Sequence, residues 1–232
     1  MRVAAFDLDG ALADTAADLI GALNDLAALE RGLAPIPLDE RPTAGKGGRA
    51  LIRRGMEAAG AAADEARVDA LFPLYLDLYE ARITRETRLY PDAEACLDAL
   101  AAEGWRLAIC TNKPERLARR LLEALGVAGR FHAILGADTL PVRKPDPLHL
   151  IETIARAGGA RERAFLLGDT RTDRECARRA GVPCALVSHG YADVPLEALA
   201  PEAVIGGLSE LPGLAPRLIG EAPPLDAVRR RA

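Results

Sequence analysis

The sequence predicts an α/β protein: a doubly wound, mostly parallel sheet with a helical domain inserted after its first strand. Two observations carry the prediction. From Trp105 onward, short apolar runs alternate with amphipathic stretches of helical period, the rhythm of βα units that lay parallel strands side by side. One more apolar run, at residues 3–8, stands far upstream, and the block between keeps helical spacing. That block is too long for a simple crossover. Residues 14–85 are therefore read as the inserted helical domain, with 1–13 and 86–218 forming the core.

Each element follows from local pattern. The run at residues 3–8 ends in acidic residues and Gly10, a buried strand feeding a loop. Leu19, Ile20, Leu23, Leu26 and Leu29 share a helix face across 14–30, with Asp14 or Thr15 as N-cap. Residues 32–48 are rich in Gly and Pro and read as loop. Helical patterns return at 49–59 and 65–82. Tyr90-Pro91-Asp92 opens a helix that stops at Gly104. Strands follow at Trp105–Thr111, His132–Leu135, Ala164–Leu167 and Cys184–Val187. Helices at Pro114–Leu125, Asp146–Ala157 and Thr172–Ala180 separate them, and Ala203–Gly206 is a last short strand. The tail 219–232, Pro- and Arg-rich, reads as mobile.

Composition narrows the function classes. Half of the 232 residues are hydrophobic and 28% are charged, ordinary for a soluble chain with a real core. The net charge of −4 provides no basic field to gather nucleic acid or anionic lipid. No apolar run approaches the ~20 residues that span a bilayer. Asp7 and Asp9 interrupt the N-terminal apolar stretch, unlike a secretion signal. A cytoplasmic protein, monomer or homodimer, is expected. Cys96, Cys110, Cys176 and Cys184 lack metal-ligand spacing and read as reduced, buried thiols. Of the 30 basic residues only Lys46, Lys113 and Lys144 are lysine. In so arginine-rich a chain, they mark places where a compact ammonium serves and a guanidinium fork does not. His132 and His149 lack ligand spacing, Trp105 reads as core, and His189 lies near the end of a strand.

In open parallel sheets, function gathers beyond the carboxyl ends of the strands. There the chain places Asp7 and Asp9, then Thr111, Asn112 and Lys113, then Arg143 and Lys144, then Asp169, Thr170 and Asp173. Asp7 and Asp9, two apart on extended chain, face one way. With Asp169 they make a set of carboxylates that resist ionising together. A hard divalent cation resolves the conflict, and Mg²⁺ typically takes one or two carboxylates plus water and phosphate oxygens. Lys144 supplies fixed positive charge for a phosphoryl group, and Thr111 with nearby backbone N–H groups can donate to its oxygens.

DLDGALADT (7–15), CTNKP (110–114), RKPDP (143–147) and GDTRTD (168–173) together resemble the four ordered motifs of the haloacid dehalogenase-like hydrolase superfamily. The resemblance implies a Rossmann-like core with residues 14–85 as a helical cap. It implies Asp7 as the nucleophile that forms an aspartyl-phosphate and Asp9 as general acid/base. Thr111 and Lys144 would hold the phosphoryl group. Asp7, the Asp9 backbone carbonyl and Asp169 would hold Mg²⁺, with Asp173 an additional acidic partner. Dehalogenases do not need an acid at position 9, so Asp9 points to phosphoryl transfer. The family's first motif usually carries Thr where this chain has Ala11.

Flanking segments at 89–100, 135–150 and 168–184 are similar to bacterial phosphoglycolate phosphatases, and AGKGGRALIRRG (44–55) to the glycine-rich segment of their cap. Lys46 and Arg49, flanking Gly47, would suit a second negative group such as the carboxylate of 2-phosphoglycolate. The expected substrate is thus a small phosphorylated metabolite, contacted by Thr111, Asn112, Lys144, Lys46, Gly47 and Arg49. The rival expectations are a sugar phosphomutase, a broad sugar phosphatase of the same superfamily, and a non-enzymatic phospho-receiver that would need Asp7 but not Asp9.

Overall fold

The computed structural model describes residues 1–221. Along the chain, β1 (Arg2–Phe6) and β2 (Ala13–Asp14) lead into helices α1 (Ala16–Leu29), α2 (Arg41–Ala44), α3 (Gly48–Ala58) and α4 (Glu65–Ala81), then β3 (Arg88–Leu89). After these come α5 (Ala93–Ala102), β4 (Trp105–Cys110), α6 (Glu115–Ala124), β5 (Phe131–Leu135), α7 (Pro147–Arg156) and β6 (Ala164–Gly168). The described chain closes with α8 (Arg171–Ala180), β7 (Cys184–Val187), β8 (Ala203–Ile205) and α9 (Leu211–Leu218). Two compact units result: Met1–Leu12 with the chain from Leu89 onward, and Ala13–Arg88.

The first unit is a six-stranded sheet in the order β5-β4-β1-β6-β7-β8, with every neighbouring pair parallel. Its strands are apolar on both faces because both are covered. Val3, Ala5, Ala108, Cys110, Leu135, Leu166 and Leu186 pack with Leu150 and Ile154 of α7 and Cys176 and Ala177 of α8. The alternate residues Ala4, Phe6, Leu107, Ile109, Phe165 and Leu167 are equally buried, and α5 lies against β4 and α9. Strand β1 sits between β4 and β6 although both follow it far along the chain. The connections therefore depart to opposite sides of β1, which makes its carboxyl end the switch point where such sheets bind ligands.

The second unit packs α1, α3 and α4 together over Ile20, Leu23, Leu26, Leu51, Ile52, Met56, Val68 and Tyr75. Asp18, wholly buried on α1, anchors the returning chain. Its Oδ2 accepts from Glu86 N at 2.9 Å, Thr87 N at 2.8 Å and Thr87 Oγ1 at 2.8 Å.

Several expectations need correction. The Gly- and Pro-rich stretch 32–48 contains a short helix, α2, with Pro42 in its first turn, where proline's missing N–H costs nothing. That stretch is held by Asn24, which exchanges side-chain hydrogen bonds with the backbone of Ile36 at 2.9 and 3.0 Å. Thr15 is the N-cap of α1 but makes no side-chain cap bond, and Asp14 pairs with Arg41 at 2.8 Å. Strands β2 and β3 are two residues each, too short to leave a period. Helix α9 escapes the pattern because Pro and Gly interrupt its sequence. The start of the expected tail is docked, since Glu221 pairs with Arg2 at 3.1 Å and Arg163 at 2.5 Å. The rest of that tail, 222–232, lies outside the described residues. Among the described residues no helix is long and apolar enough to cross a membrane.

Candidate active site

Strand register brings the predicted groups to one rim. Phe6 pairs with Ile109 on one side and Leu167 on the other. The next residue, Asp7, donates its N–H to Leu167 O at 2.8 Å. Thr111 follows β4 directly and Asp169 follows β6 directly. Of the predicted strand-end groups, Asp7, Thr111, Lys113, Lys144, Asp169 and Asp173 are buried, Asp9 and Thr170 are half-buried, and Asn112 and Arg143 are exposed.

Asp7, Asp169 and Asp173 each bring one carboxylate oxygen to within 4.8 Å of the others. Asp173 is fully committed. Its Oδ1 accepts from Lys144 Nζ at 2.6 Å. Its Oδ2 accepts from Thr170 Oγ1 at 2.6 Å and Thr170 N at 3.1 Å, closing a capping box at the start of α8. Asp169 Oδ2 accepts from Tyr191 N at 2.7 Å. Lys144 Nζ stands 2.9 Å from Asp7 Oδ1 but off the line a hydrogen bond requires. Asp7 Oδ1 and Asp169 Oδ1 are thus buried oxygens with no hydrogen-bond donor. Such orphaned acceptors are costly unless something binds them. Two carboxylates that bring oxygens within 4.8 Å of each other are the hard donors that fit Mg²⁺, which takes one or two carboxylates and completes its shell with water or phosphate oxygens.

The electrostatics agree. Burial pushes Asp7 from 3.8 up to about 6, with Lys144 opposing and Asp173 and Asp9 adding. Burial first, then the charges of Asp173 and Asp7, hold Asp169 well above the usual carboxylate range. Burial also works against ionised Asp173, but Lys144 and Thr170 outweigh it and hold that carboxyl below its ordinary value. Burial disfavours the Lys144 ammonium, yet Asp173 and Asp7 hold its pKa well above the ordinary lysine value. With all three carboxyls ionised, the single Lys144 ammonium leaves two negative charges unbalanced.

The alternation argument for Asp7 and Asp9 is corrected. Strand β1 ends at Phe6, so both aspartates lie in the following loop, where strand alternation has no hold. Asp7 faces Lys144, whereas both oxygens of Asp9 accept from Lys113 Nζ, at 2.7 and 2.9 Å. The Asp9 carboxylate is therefore occupied, and only its backbone carbonyl is left for the ligand role the resemblance implies. Lys113 was placed at a strand end but given no role. The scarcity of lysine was the available signal, because two of the three lysines are buried against carboxylates.

Thr111 is buried, and its Oγ1 accepts from Lys113 N at 3.2 Å. Asn112 is exposed and donates to Lys144 O at 2.9 Å, tying the second motif's loop to the third. Beneath them His149 is wholly buried. It contacts Cys110 Sγ at 3.3 Å and Gly136 O at 2.9 Å, a core histidine as expected.

Sequence reasoning missed the wall around Asp169. A Cβ at Gly190 would collide with the Asp169 side chain, and so would one at Gly10. Gly10 also holds a φ of +86°, which favours glycine. His189 joins this wall: its ring lies 3.8 Å from that of Tyr90, and its Nε2 is 3.3 Å from Ala11 O. Lys46, Gly47 and Arg49 belong to the second unit. Lys46 is exposed. Gly47 precedes α3 with a φ of +86°. Arg49 pairs with Asp69 at 2.9 Å and lies 3.8 Å over the Phe72 ring.

Comparison with known proteins bears on this arrangement. The family profile described as haloacid dehalogenase-like hydrolase matches residues 4–187. A phosphoglycolate phosphatase of Caulobacter vibrioides is 42% identical over 220 residues, covering 94% of this chain and 92% of its own length. One of Mesorhizobium japonicum is 43% identical over 218 residues, covering 94% and 96%. Among solved structures, a Haemophilus somnus protein described as a predicted phosphoglycolate phosphatase superposes with a TM-score of 0.84 at 24% identity, covering 92% of this chain and 97% of its own. CbbY from Rhodobacter sphaeroides, solved with phosphate, gives 0.75 at 24%, covering 91% and 96%. Both share the fold.

Proposed function

The chain belongs to the haloacid dehalogenase-like hydrolases, and from that membership we propose that it is a Mg²⁺-dependent phosphatase. Its proposed substrate is a small phosphate monoester, 2-phosphoglycolate, converted to glycolate and phosphate. The observation that carries the reading is the pair of orphaned buried oxygens on Asp7 and Asp169 beside the Lys144 ammonium. The named substrate rests on the two relatives just described, whose printed activity it is.

In this reading an Asp7 oxygen attacks phosphorus, the ester P–O bond breaks, and an aspartyl-phosphate forms. Asp9, whose two oxygens face the Lys113 ammonium, would take up a proton on one of them as substrate binds and give it to the departing alkoxide. Water, deprotonated by Asp9, then attacks the aspartyl-phosphate and releases phosphate and the Asp7 carboxylate. Lys144 stands beside the attacking carboxylate, and Thr111 supplies a hydroxyl at the same rim, so both can hold phosphoryl oxygens. Asp173 does not touch substrate; it positions Lys144. Mg²⁺, held by Asp7, Asp169 and the Asp9 carbonyl, would offset the clustered negative charge and draw charge from the phosphoryl group. Lys46 and Arg49 are proposed to meet the far end of the substrate. Four free buried thiols suit a reducing cytoplasm.

Phosphate release from 2-phosphoglycolate by purified protein, with Mg²⁺ or with a chelator, tests the proposal. Mg²⁺-dependent release that vanishes in Asp7→Asn is expected. Faster release from sugar phosphates than from phosphoglycolate would overturn the substrate, and interconversion of sugar phosphate isomers without phosphate release would overturn hydrolysis.

A further inference from the structure

We infer that Lys113 is a specificity-determining residue, which binds a carboxylate carried on the carbon next to the ester oxygen of the substrate. The inference rests on the phosphatase reading above and deepens it. Lys113 is 6% exposed, an unusual burial for a lysine. Its ammonium lies against both oxygens of Asp9, at 2.7 and 2.9 Å. In the proposed reaction the Asp9 carboxyl must reach the oxygen of the leaving group. An ammonium in contact with that carboxyl therefore sits beside the leaving group, not beside the phosphoryl group, which has Lys144.

The two lysines divide the rim by partner. Lys144 is bound to Asp7 and Asp173 and Lys113 to Asp9. Lys113 N also donates to Thr111 Oγ1 at 3.2 Å, and Lys113 O accepts from Ala137 N at 2.9 Å. These bonds fix the root of the side chain to the end of β4 and to the loop after β5. A cation so rooted has little freedom to swing away, and little entropy to lose when a second anion arrives. The position selects by distance. In a 2-phosphocarboxylate one carbon separates the ester oxygen from the carboxylate carbon, a span that one ammonium can cover while still touching Asp9. An ester with a neutral or cationic leaving group offers Lys113 no second anion. A compact ammonium can face two anions at once, whereas arginine, abundant in this chain, presents a wider planar fork.

The test compares 2-phosphoglycolate with the neutral 2-phosphoglycolamide and with ethyl phosphate, in wild type, Lys113→Met and Lys113→Gln. Lys113→Gln keeps a hydrogen-bonding side chain and serves if Lys113→Met does not fold, with circular dichroism and a cooperative melt as the check on each. The expected result is a wild-type preference in kcat/KM for the carboxylate ester. Both variants should lose at least tenfold more on phosphoglycolate than on the two neutral esters, with KM for phosphoglycolate rising. Equal losses on all three esters would show that Lys113 merely holds Asp9 in place, and would overturn the inference while leaving the phosphatase reading intact. A wild type with no preference for the carboxylate ester would overturn the substrate reading itself, and the inference with it.

Discussion

Asp7→Asn is expected to abolish turnover and yet stabilise the metal-free protein at neutral pH. The Asp7 carboxyl titrates near 6 instead of 3.8. At ~1.4 kcal/mol per pKa unit, keeping it ionised within the fold costs about 3 kcal/mol. The attraction of Lys144 is already included, since it opposes the rise. A carboxyl whose folded pKa is raised contributes its full stability below 3.8, loses it between 3.8 and about 6, and contributes none above. Asparagine has nearly the same shape and stays neutral throughout. The stability gap between variant and wild type should therefore be small near pH 4, grow to about pH 6, and level off at about 3 kcal/mol. For a chain of this size that is about 6–12 °C in Tm. Thermal melts in EDTA from pH 4 to 7.5, run beside phosphate-release assays, measure it. Excess Mg²⁺ should narrow the gap, because it stabilises the state that retains the Asp7 oxygen. A variant less stable than wild type in EDTA at pH 7.5, or a gap independent of pH, would refute the reasoning.

Three further outcomes are expected. Lys144→Met strips the ammonium from two buried carboxylates and should destabilise the protein by about 3–5 kcal/mol at pH 7.5, less at pH 5 where Asp7 takes up a proton; urea titrations at the two pH values measure the difference. Gly190→Ala forces a Cβ into Asp169 and should raise the Mg²⁺ concentration for half-maximal activity roughly 10–100-fold, read from Mg²⁺ titrations of phosphate release. Asp18→Ala leaves the N–H groups of Glu86 and Thr87 and the Thr87 hydroxyl without their acceptor and should cost about 3–5 kcal/mol in chemical denaturation, with Asp18→Asn losing less because its amide oxygen still accepts.

The sequence by itself determined the local elements and singled out the groups proposed to react. Apolar runs such as Ala164–Leu167 and the helical stripe of α1 are near-neighbour patterns, and they report the strands and helices that form. The placing of Asp7, Thr111 and Asp169 just past apolar runs, and of Lys144 in the loop that follows another, is equally local, which is why the candidate site was legible before any fold was known. The tertiary structure alone decided the strand order, and with it which charge meets which. Lys113 and Asp9 are 104 residues apart, and no periodicity links them; they meet because β4 lies beside β1. The closeness of Gly190 to Asp169, and the committed oxygens of Asp173 against the orphaned ones of Asp7 and Asp169, follow from the same packing. Local sequence sets what a segment can become. Hydrogen bonds and packing contacts act only over a few ångströms, so those between side chains distant in sequence exist only once the sheet has assembled.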